Sequence, residues 1–109
     1  MNRDYKLFLK DIKESIDQII ELKVSEEEFK SNKTIQDAII RKLEIIGEAS
    51  KHLPRSLREE NKHINWAKME RARDNLLHSY FEINLHSVWD YVTKEIPRIK
   101  EALNSLKLV

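Results

Sequence analysis

No cysteine occurs among the 109 residues, and there are only one glycine and two prolines. Without thiols there is no disulfide, no thiolate nucleophile and no cysteine-built zinc site, a composition that suits a reducing cytoplasm, where the protein is expected to reside. A sheet protein needs far more turn-forming residues than these three, so the class is all-α. A single glycine also excludes a glycine-rich phosphate-binding loop. No apolar run approaches the ~20 residues that cross a bilayer, and the start, Met1-Asn2-Arg3-Asp4-Tyr5-Lys6, has no apolar signal region, so no membrane association is expected. Neither positive nor negative charge is in excess. Twenty basic residues face nineteen acidic ones, for a net charge of +1, so any surface for an anionic partner has to be local.

What is present is helical periodicity. Tyr5, Phe8, Leu9, Ile12, Ile16, Ile19 and Ile20 recur at three-to-four spacing, which predicts a helix from about Asp4 to Lys23 with one buried face. Ser25 and Glu28 have the spacing of a capping box and predict a short helical turn through Phe29. Asn32 or Thr34 opens a second long helix ending near His52. Its stripe of Ile35, Ala38, Ile39, Leu43, Ile46 and Ala49 is widened by Ile40 and Ile45. A stripe that wide implies contact on two sides, with another element or with a second chain. Gly47 inside this helix costs about 1 kcal/mol relative to alanine, which a close helix crossing would offset. Leu53-Pro54 ends it. A polar connection follows, with one further helical turn, and Asn65 then caps a helix running from Trp66 to about Tyr80. Asn84 caps the last helix, which Pro97 should kink. The expectation is one domain over residues 1–109, an antiparallel bundle of four main helices with one or two short extra turns.

The chemistry concentrates in Arg71-Ala72-Arg73-Asp74-Asn75-Leu76-Leu77-His78-Ser79-Tyr80, where Arg73, His78 and Tyr80 form an Arg-x4-His-x-Tyr pattern. On an ideal helix, residues five apart point about 140° from one another, so Arg73 and His78 do not share a face. Arg73 and Tyr80 nearly do. Asp74 lies four residues before His78, close enough to hold one imidazole nitrogen and fix its tautomer. A site using both Arg73 and His78 therefore needs a distorted helix, a reaching arginine or a second protomer. Taken alone, an arginine or histidine on a helix is most often merely solvated, and Tyr80 with Leu76 and Leu77 also reads as core packing.

Several segments in register give the pattern its context. Leu43-Glu44-Ile45-Ile46-Gly47-Glu48-Ala49 with Leu53-Pro54, then Ile64-Asn65-Trp66, the stretch from Arg73 to Phe81, Val88-Trp89 and Ile96-Pro97 together resemble the HEPN superfamily, specifically its HepT-like toxins. The resemblance covers residues 35 to 103. The sequence departs from the family pattern at Asp74, where asparagine is usual, and at Glu70 and Arg71, where small or apolar residues commonly precede the arginine. The resemblance implies a metal-independent RNA endonuclease without cofactor, acting as a toxin beside a minimal nucleotidyltransferase antitoxin. It further implies a homodimer or higher even oligomer with the site at the protomer interface. Residue by residue, it carries the catalytic pair onto Arg73 and His78, and onto Tyr80 the tyrosine that the partner enzyme modifies with AMP.

General chemistry is consistent with that implication. Metal-free RNA cleavage requires deprotonating a 2′-hydroxyl, stabilising the charge of a phosphorane and protonating the leaving 5′-oxygen. Histidine, with an ordinary pKa of about 6.5, suits the proton transfers. The planar guanidinium of arginine suits the phosphate oxygens. One imidazole cannot act as base and acid at the same instant, so a two-fold dimer supplying a second copy is expected on mechanistic grounds. Elsewhere, His52, His63, His78 and His86 lack metal-ligand spacing, so no metal site is expected. Glu26-Glu27-Glu28 and Glu59-Glu60 read as solvated faces. Glu48 is a supporting candidate near the groove, although a helix-surface carboxylate accounts for it equally. Lys51, Arg55, Arg58, Lys62, Lys68, Arg71 and Arg73 make the middle of the chain locally basic, which suits RNA if they gather on one side. Two other functions fit the same fold: a non-catalytic nucleotide-binding adaptor that partners the nucleotidyltransferase, and a bare dimeric scaffold.

Overall fold

The computed structural model describes residues 4–72 and 84–108, and all the regular structure among them is helical. The all-α class follows. In chain order the elements are α1 (Tyr5–Glu21), α2 (Glu26–Ser31), α3 (Lys33–Ser50), α4 (Arg55–Glu60), α5 (Trp66–Glu70) and α6 (Leu85–Asp90). A π-helical turn (Tyr91–Glu95) then leads into α7 (Ile96–Leu103).

The starts of α1, α2, α3, α5 and α6 are set by side chains that satisfy backbone N–H groups the helix itself leaves open, whereas α4 follows Pro54 without a side-chain cap. Asp4 accepts from the Lys6 amide at 2.9 Å, and Asn32 accepts from Ile35 at 3.2 Å. Asn65 does so from Lys68 at 3.0 Å, and Asn84 from Ser87 at 3.1 Å. The capping box at α2 is complete, with Ser25 and Glu28 each bonded to the other's backbone N–H. After α1 the chain reverses through Lys23 at φ 47°. Glycine usually occupies that left-handed region, and a chain with one glycine places a lysine there.

α1 and α3 make the most extensive helix pair, and α3 also packs on α2 and α5. Leu9, Ile12, Ile16 and Ile19 of α1 and Ile39, Leu43 and Ile46 of α3 are buried in one apolar cluster with Phe29, Leu57, Met69, Val88, Ile96 and Ile99. Fully burying each such side chain contributes roughly 1.5–3 kcal/mol. Neighbouring helices of this chain cover part of the wide stripe on α3, while Ile35, Ala38 and Ile45 remain half-buried. Ile40 is buried without a second protomer, and Gly47 is buried on the same helix. Phe29 stacks on Trp89 with ring centroids 5.4 Å apart, which ties α2 to α6.

The irregularity expected at Pro97 falls just before it. The turn Tyr91–Glu95 is π-helical, and the Ile96 amide donates to the Tyr91 carbonyl five residues back. A proline ring presses on the carbonyl four residues upstream and offers no N–H of its own. Widening the preceding turn accommodates both effects. Pro97 itself sits in the first turn of α7, where its missing N–H costs little. The helix expected from Trp66 to Tyr80 is described as far as Glu70, with Arg71 and Ala72 in a turn. Its remainder, and most of the link leading to Asn84, lie outside the described residues.

The C-terminal segment is fastened by one fully buried amide. Asn61 donates to the Leu57 and Lys107 carbonyls at 2.8 and 2.7 Å, and its side-chain oxygen accepts the Lys107 amide at 2.7 Å. Removing it takes the partner from three backbone groups, the Leu57 carbonyl and the carbonyl and amide of Lys107. Asn61→Ala is expected to lower the unfolding free energy by about 2–3 kcal/mol, measured by urea titration. A loss below ~0.5 kcal/mol would mean that water replaces the amide at no cost.

Candidate functional site

α5 has five residues, too few to be stable as an isolated helix, and it leads directly into the sequence stretch that carries the candidate chemistry. Other elements hold it. Trp66, at its start, is buried and donates its indole N–H to the Asn61 carbonyl at 3.1 Å. Met69 is fully buried. The Tyr91 hydroxyl donates to the Lys68 carbonyl at 3.1 Å, and the Lys68 ammonium lies 2.9 Å from Glu95. At the far end, Glu70 pairs with Arg58 of α4 at 2.5 Å. The upstream edge of the site is thus pinned by α4, by the loop after it and by the π-helical turn.

Arg73, Asp74, His78 and Tyr80 lie outside the described residues. Glu48, the supporting candidate, is on α3, with a side chain 56% exposed and 3.4 Å from the Nε2 atom of His52. His52 stacks on Phe8 of α1, with centroids 4.5 Å apart and planes 12° from parallel. These groups line a cleft of about 190 Å³ between α1 and α3, together with Asp11, Arg41 and Glu44. Only the Glu48–His52 part was legible in the sequence, as an i, i+4 pair. The facing Phe8 and Asp11 come from a helix more than thirty residues away.

Several cations in the locally basic middle of the chain are paired with carboxylates. Arg55 is paired with Glu59 at 3.1 Å, Arg58 with Glu70 and Lys68 with Glu95. Lys51, Lys62 and Arg71 are exposed. Beside α6, the Lys94 ammonium hydrogen-bonds Asp90 at 2.9 Å and holds that carboxyl below its usual range. Burial pushes the Tyr91 phenol well above its ordinary value, and the neighbouring Glu95 carboxylate adds to this. Among the described residues no three histidine, aspartate or glutamate side chains gather into a group able to hold a metal ion.

The family model described as "Ribonuclease HepT-like" matches residues 12–106, a span that holds every helix from within α1 to the end of α7. The chain belongs to the HepT-like ribonuclease family. Relatives agree with this placement. The chain is 39% identical over 109 residues to a Thermococcus cleftensis protein named "Probable ribonuclease HepT", covering 98% of this chain and 99% of that one. It is 42% identical over 106 residues to the "Putative RNase MJ1216" of Methanocaldococcus jannaschii, covering 95% and 88%. A third relative, "Gamma-glutamylcyclotransferase and putative RNase MJ0434" of the same organism, is 43% identical over 105 residues. The chain spans about half the length of that relative, 47%, with 94% of its own residues matched. No solved structure matches.

Within this HepT-like chain, Tyr91 was not singled out from sequence, yet its hydroxyl holds the Lys68 carbonyl of α5. Its phenol titrates above the usual range when folded, whereas an unfolded tyrosine loses its proton near pH 10. Its contribution is therefore complete below about pH 10 and is lost as pH rises beyond it. Tyr91→Phe is expected to cost about 1 kcal/mol at pH 8 by loss of one hydrogen bond. The urea midpoints of variant and wild type should converge between pH 8 and 11. A gap that stays constant with pH would contradict the burial of this phenol, because Tyr5 and Tyr80 are common to both proteins.

Proposed function

We propose that this HepT-like chain is a metal-independent RNA endonuclease, the toxin of a toxin–antitoxin pair, with Arg73 and His78 as its catalytic pair. The observation that carries this reading is the Arg-x4-His-x-Tyr pattern at residues 73–80, lying inside a family match that runs from 12 to 106. In the proposed reaction a 2′-hydroxyl gives its proton to an imidazole and its oxygen attacks the adjacent phosphorus. The phosphorane's added charge is met by a guanidinium, which binds in the transition state more strongly than in the ground state. The bond to the 5′-oxygen then breaks, and that oxygen takes a proton from imidazolium. The products are a 2′,3′-cyclic phosphate and a 5′-hydroxyl end, with no water consumed and no metal called upon.

Because base and acid must be poised together, the reading includes a two-fold dimer in which each protomer lends one His78 and one Arg73 to a common groove. Asp74, four residues before His78, would orient the imidazole, and Glu48 is a supporting carboxylate. A minimal nucleotidyltransferase is the proposed antitoxin. Transfer of AMP to the Tyr80 hydroxyl, with release of pyrophosphate from ATP, would set a bulky anion beside Arg73. That anion would repel the RNA backbone and compete for the guanidinium.

His78→Ala and Arg73→Ala should each reduce cleavage of a single-stranded RNA by more than about a hundredfold, in buffer containing EDTA, while unfolding at the wild-type temperature. The active species should sediment at twice the 13.0 kDa chain mass. Cleavage at the wild-type rate by either variant ends the nuclease assignment, and nucleotide binding without cleavage would favour the adaptor function. Co-expression with a minimal nucleotidyltransferase should raise the intact mass by one or more adenylyl groups, and Tyr80→Phe should abolish the increase. An unshifted mass with growth restored would mean inhibition by binding alone.

A further inference from the structure

Arg58 joins three elements through one side chain. It projects from α4, pairs with Glu70 at the end of α5 at 2.5 Å, and donates to the carbonyl of Ser50 at the end of α3. Its guanidinium also lies 6.0 Å from the ring centroid of Trp66 at the start of α5. A cation is favoured at the C-terminal end of a helix, where carbonyls point outward. Most ion pairs among the described residues link one turn of a helix to the next on an exposed face. The Arg58–Glu70 side chains are only 25% and 30% exposed, whereas Arg55 and Glu59, on the same α4, are 91% and 60% exposed. A planar fork with several donors suits such a junction better than an ammonium does.

Glu70 is three residues before Arg73. A bare carboxylate so close in sequence to a guanidinium meant for phosphate would compete for it and repel the RNA. Arg58 removes that conflict by taking up the carboxylate, and in doing so it anchors the last turn before the site. We propose that Arg58 and Glu70 are positioning residues: their pair fixes where α5 ends and from which point the chain delivers Arg73 to the scissile phosphate. The proposal rests on the nuclease reading given above for its consequence in catalysis, but the clamp itself is measurable without activity.

The test uses the full chain and a fluorescent single-stranded RNA, with kcat and KM determined separately, and amide hydrogen exchange of the peptide covering residues 66–73. Glu70→Gln keeps shape and removes charge. It should lower kcat about tenfold with little change in KM, the signature of a misplaced catalytic group, and should speed exchange in that peptide. Arg58→Gln should do the same, and Arg58→Lys should fall between it and wild type. Glu59→Gln, the same change in the exposed pair of α4, should alter neither readout. If wild type cleaves RNA while Glu70→Gln leaves kcat unchanged, the positioning role is overturned and the nuclease reading stands. Unaltered exchange in both Glu70→Gln and Arg58→Gln overturns the clamp. If wild type does not cleave RNA at all, the nuclease reading falls, and faster exchange in these variants would still establish the clamp as a feature of the fold.

Discussion

The packing of α1 against α3 is the interaction on which the other elements depend. Both helices are long enough to carry a continuous apolar face, and on it Ile12, Ile16, Ile39, Leu43 and Ile46 are buried to within a few per cent. The short elements have no such resource. α2, α4 and α5 have five or six residues each, and a helix of that length forms only where tertiary contacts hold it. Phe29, Leu57 and Met69 each give one fully buried side chain from one short helix to the cluster. The long pair forms the floor, and the short helices are placed on it.

That division matters for the candidate site, because the stretch bearing Arg73 and His78 follows α5, a helix of five residues. Apolar burial of Trp66 and Met69 fixes the depth of α5 but is not directional. Direction comes from polar contacts: the indole N–H to Asn61, the Tyr91 hydroxyl to the Lys68 carbonyl, and the Arg58–Glu70 pair. Asn61 serves twice, since the residue whose carbonyl receives Trp66 also fastens Lys107 of the C-terminal segment. Catalytic groups placed to within about 0.5 Å need support of this directional kind. The candidate residues Arg73 and His78 of this HepT-like chain follow a five-residue helix in sequence, and support of this kind is what that helix receives.

Much of the fold was legible in the sequence. Asp4, Ser25, Asn32, Asn65 and Asn84 mark helix starts, and four of them, Ser25, Asn32, Asn65 and Asn84, were read as caps. Helix ends were read less well: α3 stops at Ser50, two residues short of His52, because the last turn unwinds into the Lys51–Leu53 bend. The proline kink was placed at Pro97, whereas the distortion lies at Tyr91–Glu95, where the ring's steric demand is felt. The second-chain explanation for the broad α3 stripe was unnecessary for Ile40. A periodicity cannot tell which neighbour covers a face, only that something does.

By itself the sequence determined the helical class, the caps, the membership of the HepT-like family and the candidate residues Arg73, His78 and Tyr80. All of these rest on patterns within a few residues or on motifs in register along the chain. Only the tertiary structure decided that Arg58 meets Glu70 twelve residues on, that Tyr91 holds Lys68 across 23 residues, and that Asn61 reaches Lys107 across 46. Helical periodicity and capping act over a single turn and leave their mark in local spacing. A polar contact between distant elements depends on how whole helices pack, and any of several arginines or asparagines would have satisfied the same spacing.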